Sequence, residues 1–217
     1  MEKTELRASL ALAGIFALRM LGLFLILPVF SIHAKSLSGG DQALLVGLAL
    51  GVYGFVQACL HIPLGMLSDK YGRRPVVVFG LGLFVLGAFI AASHDDLIWI
   101  TVGRAIQGAG AISAAVTAWL ADLTREETRT RAMAMVGGSI ALTFALSLVV
   151  ASPLHESIGL DGMFNVMAFL GIGALLIALF VVPEQSKSSQ TPFTAKFLEV
   201  FFNKDLLRLN LGVLVLH

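Results

Sequence analysis

Charged side chains are scarce in this chain. Lys, Arg, Asp and Glu make up 13% of its 217 residues, while hydrophobic residues make up 57%. Soluble domains carry about twice that charged fraction. A soluble fold of this length fills its core with far less apolar residue. The shortage of charge therefore excludes an ordinary soluble domain and indicates a protein surrounded by the lipid bilayer.

Cysteine is also nearly absent, since Cys59 is the single one. One cysteine excludes a disulfide within the chain and any cysteine-rich metal site, and Cys59 is interpreted as a small apolar helix residue. The sequence lacks a phosphate-binding glycine loop, a Gly-x-Ser-x-Gly motif and a cluster of metal-ligating His and Glu residues. It therefore predicts no enzyme, no resident cofactor or metal, and no ATP-driven process.

Six apolar stretches reach the ~20 residues needed to cross a bilayer. They are residues 8–31, 43–66, 75–93, 98–121, 132–152 and 162–182. Because lipid offers no partner to free backbone groups, each stretch is predicted to be a helix. Small residues let membrane helices approach closely, so the glycines of these stretches are interpreted as packing faces. The examples are Gly47, Gly51, Gly54, Gly80, Gly82 and Gly87.

The polar connections alternate in charge. The N-terminus, the second and fourth connections and the tail hold twelve Lys and Arg residues, whereas the other connections hold Lys35 alone. The positive-inside rule then predicts that the N-terminus and both basic connections are cytoplasmic. Since the net charge is only +1, no nucleic acid partner is predicted.

The chain divides into three parts. Residues 1–182 hold the six predicted spans. The polar residues 183–205, which contain Ser, Gln, Lys and Pro, are predicted to be a cytoplasmic linker. Residues 206–217 are apolar again but too few to cross a bilayer, so they are interpreted as the start of a seventh helix. The sequence therefore reads as a fragment of a longer protein.

The connection between the second and third spans carries a dense pattern. It reads Gly65-Met-Leu-Ser-Asp69-Lys-Tyr-Gly72-Arg73-Arg74-Pro75. The glycine at 65 would let two helices touch, that at 72 suits a positive-φ turn, and the proline fits the first turn of the next helix. The acid and the first arginine are four residues apart, close enough to pair. On composition alone, this is a basic loop that sets topology.

The pattern itself is more specific. It resembles the G-x-L-x-D-x-x-G-R-[RK] signature of the major facilitator superfamily, and the fourth span adds Arg104-Ala-Ile-Gln107-Gly108-Ala-Gly110, which is similar to that family's R-x-x-Q-G-x-G motif. The resemblance covers essentially the whole chain. It implies an all-α membrane protein, namely the six-helix N-terminal lobe of that fold, built of two inverted three-helix repeats. A C-terminal six-helix lobe would complete it, and one lobe alone would not transport.

The resemblance also implies roles for individual residues. A charge cluster that latches the two lobes would comprise Gly65, Asp69, Gly72, Arg73, Arg74 and Asp122. Proton coupling or the central cavity would involve Arg19, Arg104, Gln107, Gly108, Gln57 and His61. The implied setting is a bacterial inner membrane.

Charges inside the predicted spans are few, and none is a central carboxylate. An arginine at the bilayer centre costs about 3 kcal/mol, so Arg19 and Arg104 are expected to face a cavity or a partner rather than lipid. Proton transfer would then use either a residue of the C-terminal lobe or one of Asp69, Asp122 and His61. For that histidine, a neutral hydrogen-bonded state between helices remains the alternative, and Gln57 lies one turn away on the same face.

Three functions fit the resemblance. The leading hypothesis is proton-coupled efflux of small amphiphilic solutes or drugs by alternating access. The alternatives are an importer of a sugar or metabolite and a non-transporting membrane receptor or assembly partner. Drug antiporters of the family end the fifth helix with Gly-Pro, whereas this chain has Ala151-Ser152-Pro153 there. That departure weakens the drug assignment without affecting the predicted fold.

Overall fold

Helix accounts for nearly all of the chain that the structure describes. The structure is a computed structural model, and it describes residues 1–34 and 37–183. Within these ranges the α-helices are α1 (Lys3–His33), α2 (Ala43–Tyr71), α3 (Arg73–Ala92), α4 (Leu97–Ala109), α5 (Ser113–Asp122) and α6 (Glu126–Leu176). A π-helical turn (Ile177–Val181) continues α6. Five helical segments of the described chain are long and apolar enough to cross a membrane.

The first three predicted spans correspond to α1, α2 and α3. Between α2 and α3 the chain turns at a single residue, Gly72, whose φ of 99° is available to glycine but strained for other residues. Pro75 lies in the first turn of α3, where a missing N–H costs no helical hydrogen bond. The positive-φ turn predicted at Gly72 is therefore confirmed.

The fourth predicted span is interrupted, so the expectation of one continuous helix over 98–121 is wrong. It consists of α4 and α5, which are separated at residues 110–112. Gly110 leaves the helical conformation (φ −78°, ψ 43°), and its backbone contacts the carbonyl oxygen of Gly80 on α3. A Cβ at Gly110 would overlap Gly80 O, and a Cβ at Gly80 would overlap the side chain of Ile112, so the break packs closely against α3 because both positions are glycine.

The fifth and sixth predicted spans lie on one long helical segment, Glu126–Val181. The polar connection predicted at 153–161 is therefore not a loop: Pro153 lies inside the helix, and only Gly159 leaves the helical conformation (φ 69°, ψ −176°). At 1.5 Å per residue, a straight helix of this length would extend about 84 Å, far more than a bilayer. The segment must therefore change direction.

Contacts with α1 show where the segment Glu126–Val181 changes direction. Near the N-terminus of α1, Arg125 donates to Glu5, and Ile177 also packs against this half of α1. At the opposite end of α1, the ring centroids of His33 and His155 lie 4.8 Å apart. The chain thus leaves the first end, reverses near residue 159 and returns. The described chain thus has five helical segments long enough to cross a membrane, one fewer than the six predicted spans, because the last segment contains both the fifth and the sixth.

Two apolar clusters fill the bundle. The first contains Leu12, Val77 and Trp119, and the second contains Phe84 and Phe164. Both bring together helices from all parts of the described chain. The predicted seventh helix at 206–217 and the predicted linker at 183–205, apart from its first residue, lie outside the described residues.

Candidate functional site at the basic end

One end of the bundle brings together three segments that are distant in sequence: the N-terminus, the turn between α2 and α3, and the turn between α5 and α6. The contacts that join them include those of Arg73 with Asp122 and of Arg125 with Glu5. We call this the basic end. Its cationic residues are Lys3, Arg7, Lys70, Arg73, Arg74, Arg125, Arg129 and Arg131.

Arg73 is the centre of a charge cluster at the basic end. Its Nη1 pairs with Asp69 at the end of α2 and donates to Ser68 Oγ at 2.8 Å. Its Nε donates to Asp122 Oδ2, the last residue of α5, at 3.0 Å. The structure thus brings together the acid, arginine and acid that the sequence predicted as a cluster. It adds Ser68, a buried hydroxyl that the motif does not specify.

The remaining residues of the predicted latch lie around this cluster. Gly65 faces α5, where a Cβ would come 3.5 Å from Ala114 Cβ, an ordinary contact. Helix contact at Gly65 is therefore present, but it does not require glycine. Gly72 forms the turn described above, and Arg74 is half-buried at the start of α3.

A second ion pair at the basic end was not predicted. Glu5 is buried, and its carboxylate accepts from Arg125 Nε at 3.0 Å, Arg125 Nη2 at 3.3 Å and Thr128 Oγ1 at 3.3 Å. Glu5 precedes the predicted first span. The hydrogen bond from Arg125 lowers the pKa of Glu5 to about 2, helped by the backbone N–H of Glu2. The only sequence signal was the Glu2-x-x-Glu5 spacing, which is typical of a helix start.

Arg19 lies in the interior between the two apolar clusters and is fully buried. Its Nη2 donates to Tyr53 Oη at 3.0 Å and to Gly110 O at 3.1 Å, and its Nη1 donates to Ser113 Oγ at 3.5 Å. Its guanidinium carbon lies 5.5 Å from the Phe84 ring centroid. Arg19 thus has polar partners inside the bundle, as expected for an arginine that does not face lipid. Its role at the central cavity stays a prediction.

Arg104 is buried in the same way. Its Nε donates to Ala49 O on α2 at 2.7 Å, and its guanidinium carbon lies 5.6 Å from the Tyr53 ring centroid and 5.9 Å from that of Phe30. Arg104 therefore joins α4 to α2 and α1. This contact agrees with the expectation that Arg104 holds packed helices together, and its role in proton coupling stays a prediction.

The neighbours of Arg104 in the motif are packing residues. Gln107 is buried, and its Nε2 lies 2.8 Å from Met167 Sδ on α6. Gly108 contacts the backbone carbonyl of Tyr53, and a Cβ there would overlap it. Together they bring α4 against α2 and α6, and their predicted role in proton coupling stays a prediction.

Gln57 and His61 differ from these residues because they are only half-buried. They lie one turn apart on α2. Glycines at positions 47, 51 and 54 of the same helix face open space, so they are not packing faces within this bundle. Gly80, by contrast, closely contacts the break between α4 and α5, as expected of a packing glycine. Of the residues predicted for the cavity, the two on α2 are therefore the ones near an open surface.

Comparison with known proteins identifies the family to which this chain is similar. A family model described as Major Facilitator Superfamily matches residues 12–216. The chain is 42% identical over 217 residues to the inner membrane transport protein YajR of Escherichia coli, covering 98% of this chain and 48% of YajR. It is 31% identical over 194 residues to a class C tetracycline resistance protein of Escherichia coli, covering 85% of this chain and 47% of that protein.

A solved structure shows the same fold. The crystal structure of the human organic anion transporter MFSD10 aligns with a TM-score of 0.71 at 23% identity, over 85% of this chain and 49% of that one. The fold defines a helical, multi-pass membrane protein. The chain belongs to the Major Facilitator Superfamily. It spans about half the length of the relatives that it matches.

Proposed function

We propose that this chain forms the N-terminal lobe of a secondary transporter that works by alternating access, with its basic end in the cytoplasm of a bacterial inner membrane. The observation that carries this proposal is the cluster around Arg73. Two carboxylates from different helices, Asp69 and Asp122, hold one arginine at the surface of the lobe. A few charge-assisted bonds at such a place bias an equilibrium between two conformations, and they break when a charge is lost.

The substrate of the whole protein is proposed to be a small amphiphilic solute or drug that is expelled in exchange for protons. The tetracycline resistance relative supports efflux, at 31% identity. The open face of α2 supports a polar pathway, since it presents Gln57 and His61 beside glycines with no neighbour. A C-terminal lobe is the proposed partner that closes this pathway.

A second candidate is an importer of a sugar or metabolite. It is favoured by the residues before Pro153, which are Ala151 and Ser152 rather than the glycine that ends the fifth helix of drug antiporters. Since both candidates belong to the same superfamily, the direction of transport distinguishes them.

The latch role is tested with Asp69→Asn in the full-length protein that contains this chain. We expect transport of ethidium or tetracycline in membrane vesicles to fall by about tenfold or more while the protein level in the membrane stays the same. Glu127→Gln is the matched control, because it also removes a carboxylate at the basic end but from an exposed position without contact to Arg73. Equal transport by both variants would defeat the latch.

Proton coupling and direction are tested in inverted vesicles that are energised and loaded with the same compounds. Accumulation that collapses when an ionophore removes the pH gradient is the expected result. Accumulation that is indifferent to the gradient would remove proton coupling. Accumulation only in right-side-out vesicles would favour the importer.

A further inference from the structure

A groove lies on the outer surface of the bundle at the basic end. It is formed by the first turns of α1 and by the π-helical turn, and it has a volume of about 570 Å³. The residues that line it are Lys3, Leu6, Arg7, Leu10, Ala11, Ile177 and Val181. Two of these are cations and the rest are apolar. The groove is therefore amphipathic, and it does not overlap the cluster around Arg73.

The shape of the groove follows from the two elements that form it. Its inner end is narrow, since Ile177 Cδ1 lies 3.7 Å from the position a Cβ would take at Gly14. Towards the basic end the last turn widens, because Val182 N donates to Ile177 O, five residues back, at 3.1 Å. Such π-helical turns are rare. Here the turn carries Val181 away from the regular helical path and leaves the groove open.

The charges of the groove are not neutralised by the part of the chain that the structure describes. Lys3 and Arg7 are exposed, lie one turn apart and form no ion pair with any residue of 1–34 or 37–183. The nearby acids are already used, since both Glu2 and Glu5 pair with Arg125. An anion at the mouth of the groove would therefore find two free cations.

The position of the groove in a bilayer determines what can fill it. The first membrane span is predicted to begin at residue 8, which puts Lys3 and Arg7 at the level of the lipid headgroups and Leu10 and Ala11 in the hydrocarbon. Basic pockets between helices at a membrane surface select anionic headgroups, and apolar grooves below them accept acyl chains. Both parts are present here in the correct order.

We propose that an anionic phospholipid of the phosphatidylglycerol type occupies this groove. Its phosphate contacts Lys3 and Arg7, and one acyl chain lies between Leu10 of α1 and Val181 of the π-helical turn. The bound lipid joins the first span to the end of the sixth. The residues after Pro183 are the other occupant to be tested, because they follow the groove directly in sequence.

The test is a lipid titration followed by native mass spectrometry, with the 217-residue chain in detergent and phosphatidylglycerol or phosphatidylcholine of equal chain length. We expect a single preferred phosphatidylglycerol adduct. Each basic residue near an anionic headgroup contributes about fivefold in affinity, so Lys3→Gln with Arg7→Gln should weaken the adduct about 25-fold. Equal binding of the two lipids, or selectivity that survives the double variant, would overturn the proposal.

Two further variants separate the groove from surface charge in general. Lys70→Gln with Arg131→Gln removes two exposed charges from the same end, away from the groove, and should leave the adduct unchanged. Val181→Trp fills the groove without changing charge and should abolish the adduct while circular dichroism shows the same helix content. An equal loss in the charge control, or a full adduct with tryptophan at 181, counts against a groove site.

Crosslinking distinguishes the lipid from the chain's own tail. A photoreactive residue introduced at Leu10, in native membranes, should give covalent lipid products that mass spectrometry identifies. If the products instead join position 10 to residues 184–217, the tail occupies the groove and the proposal is wrong.

Discussion

The arginines inside the bundle and the arginines at the basic end have different kinds of partner. Arg19 and Arg104 are bound by carbonyl and hydroxyl oxygens and lie near aromatic rings, and neither forms an ion pair with a described residue. Arg73 and Arg125 are bound by carboxylates. Both pairs of arginines connect helices that are far apart in sequence, yet only the second pair uses opposite charge.

The difference separates structural from switchable contacts. An arginine keeps its charge in a protein, and a neutral carbonyl has no charge to lose. Binding or loss of a proton therefore does not break the interior contacts. An ion pair near water is screened and contributes little to stability, so it breaks and reforms at little cost. The interior arginines therefore join helices through contacts that do not depend on a carboxylate, whereas the cluster around Arg73 is the one proposed above to change between states.

The largest effect is expected from removing an interior arginine. Arg19→Met leaves Tyr53 Oη and Gly110 O buried without their donor, and such losses cost about 3 kcal/mol of unfolding free energy. Titration of the purified chain from mild detergent into SDS, followed by circular dichroism, measures it. Arg131→Met is the matched control, since Arg131 is exposed, and it should change stability little. Similar values for both variants would remove the distinction between the two regions.

The next largest loss of stability is expected at Gly110, whose carbonyl oxygen accepts a hydrogen bond from Arg19. Gly110→Ala places a Cβ against the Gly80 carbonyl, so α4 must shift and its acceptor moves away from the guanidinium. Overpacking of this kind costs about 2 kcal/mol. Gly82→Ala on α3 meets no neighbour within 4 Å and serves as the control in the same unfolding assay. A stable Gly110→Ala variant would show that the close approach is not needed.

A smaller effect on stability is expected at the basic end. The side chain of Asp122 is 31% exposed and that of its partner Arg73 is 14% exposed, so water screens the pair. Asp122→Asn should therefore lower the unfolding free energy by less than about 1 kcal/mol. The same SDS titration measures it. A loss as large as that of Arg19→Met would break the comparison, because the cluster would then be structural as well.

The smallest effect concerns pH. The pKa of Glu5 is about 2 in the folded chain, below its ordinary value of 4.5, so ionised Glu5 stabilises the fold above pH 4.5 and loses this contribution as pH falls towards 2. The unfolding curves of the native chain and Glu5→Gln should therefore differ by a constant amount from pH 6 to 8 and converge below about pH 4.5. A difference that varies between pH 6 and 8 would mean that this pair titrates in the physiological range.

Some of these features were readable in the sequence and others were not. The passes follow from runs of apolar residues, and the Asp69–Arg73 pair follows from a spacing of four with a glycine turn at 72. The identity of the partners of Arg19 did not follow, because a helix that is apolar all round does not show which neighbour each of its faces contacts. The depth of a residue in the membrane is determined by the sequence around it, whereas the residues it contacts depend on how distant helices pack.

Contacts between residues far apart in the sequence could not be predicted for the same reason. Glu5 and Arg125 are 120 residues apart, and neither belongs to a motif that names the other. The break in the fourth span was also hidden, since it depends on the approach of Gly110 to α3. The reversal near Gly159 lies in a segment whose polar residues resembled a loop but are largely helical.

The bond between Arg19 and Gly110 also constrains how the protein is made. The two residues are 91 positions apart, so the first span enters the membrane long before the carbonyl that receives its arginine has been synthesised. A nascent chain that ends before residue 110 holds Arg19 without this acceptor. Tyr53, its partner on the second span, is synthesised earlier, and Gly110 completes the set of partners when the fourth span is made. Assembly of this lobe is therefore not a series of independent insertions, because its earliest helix waits for one of its later ones.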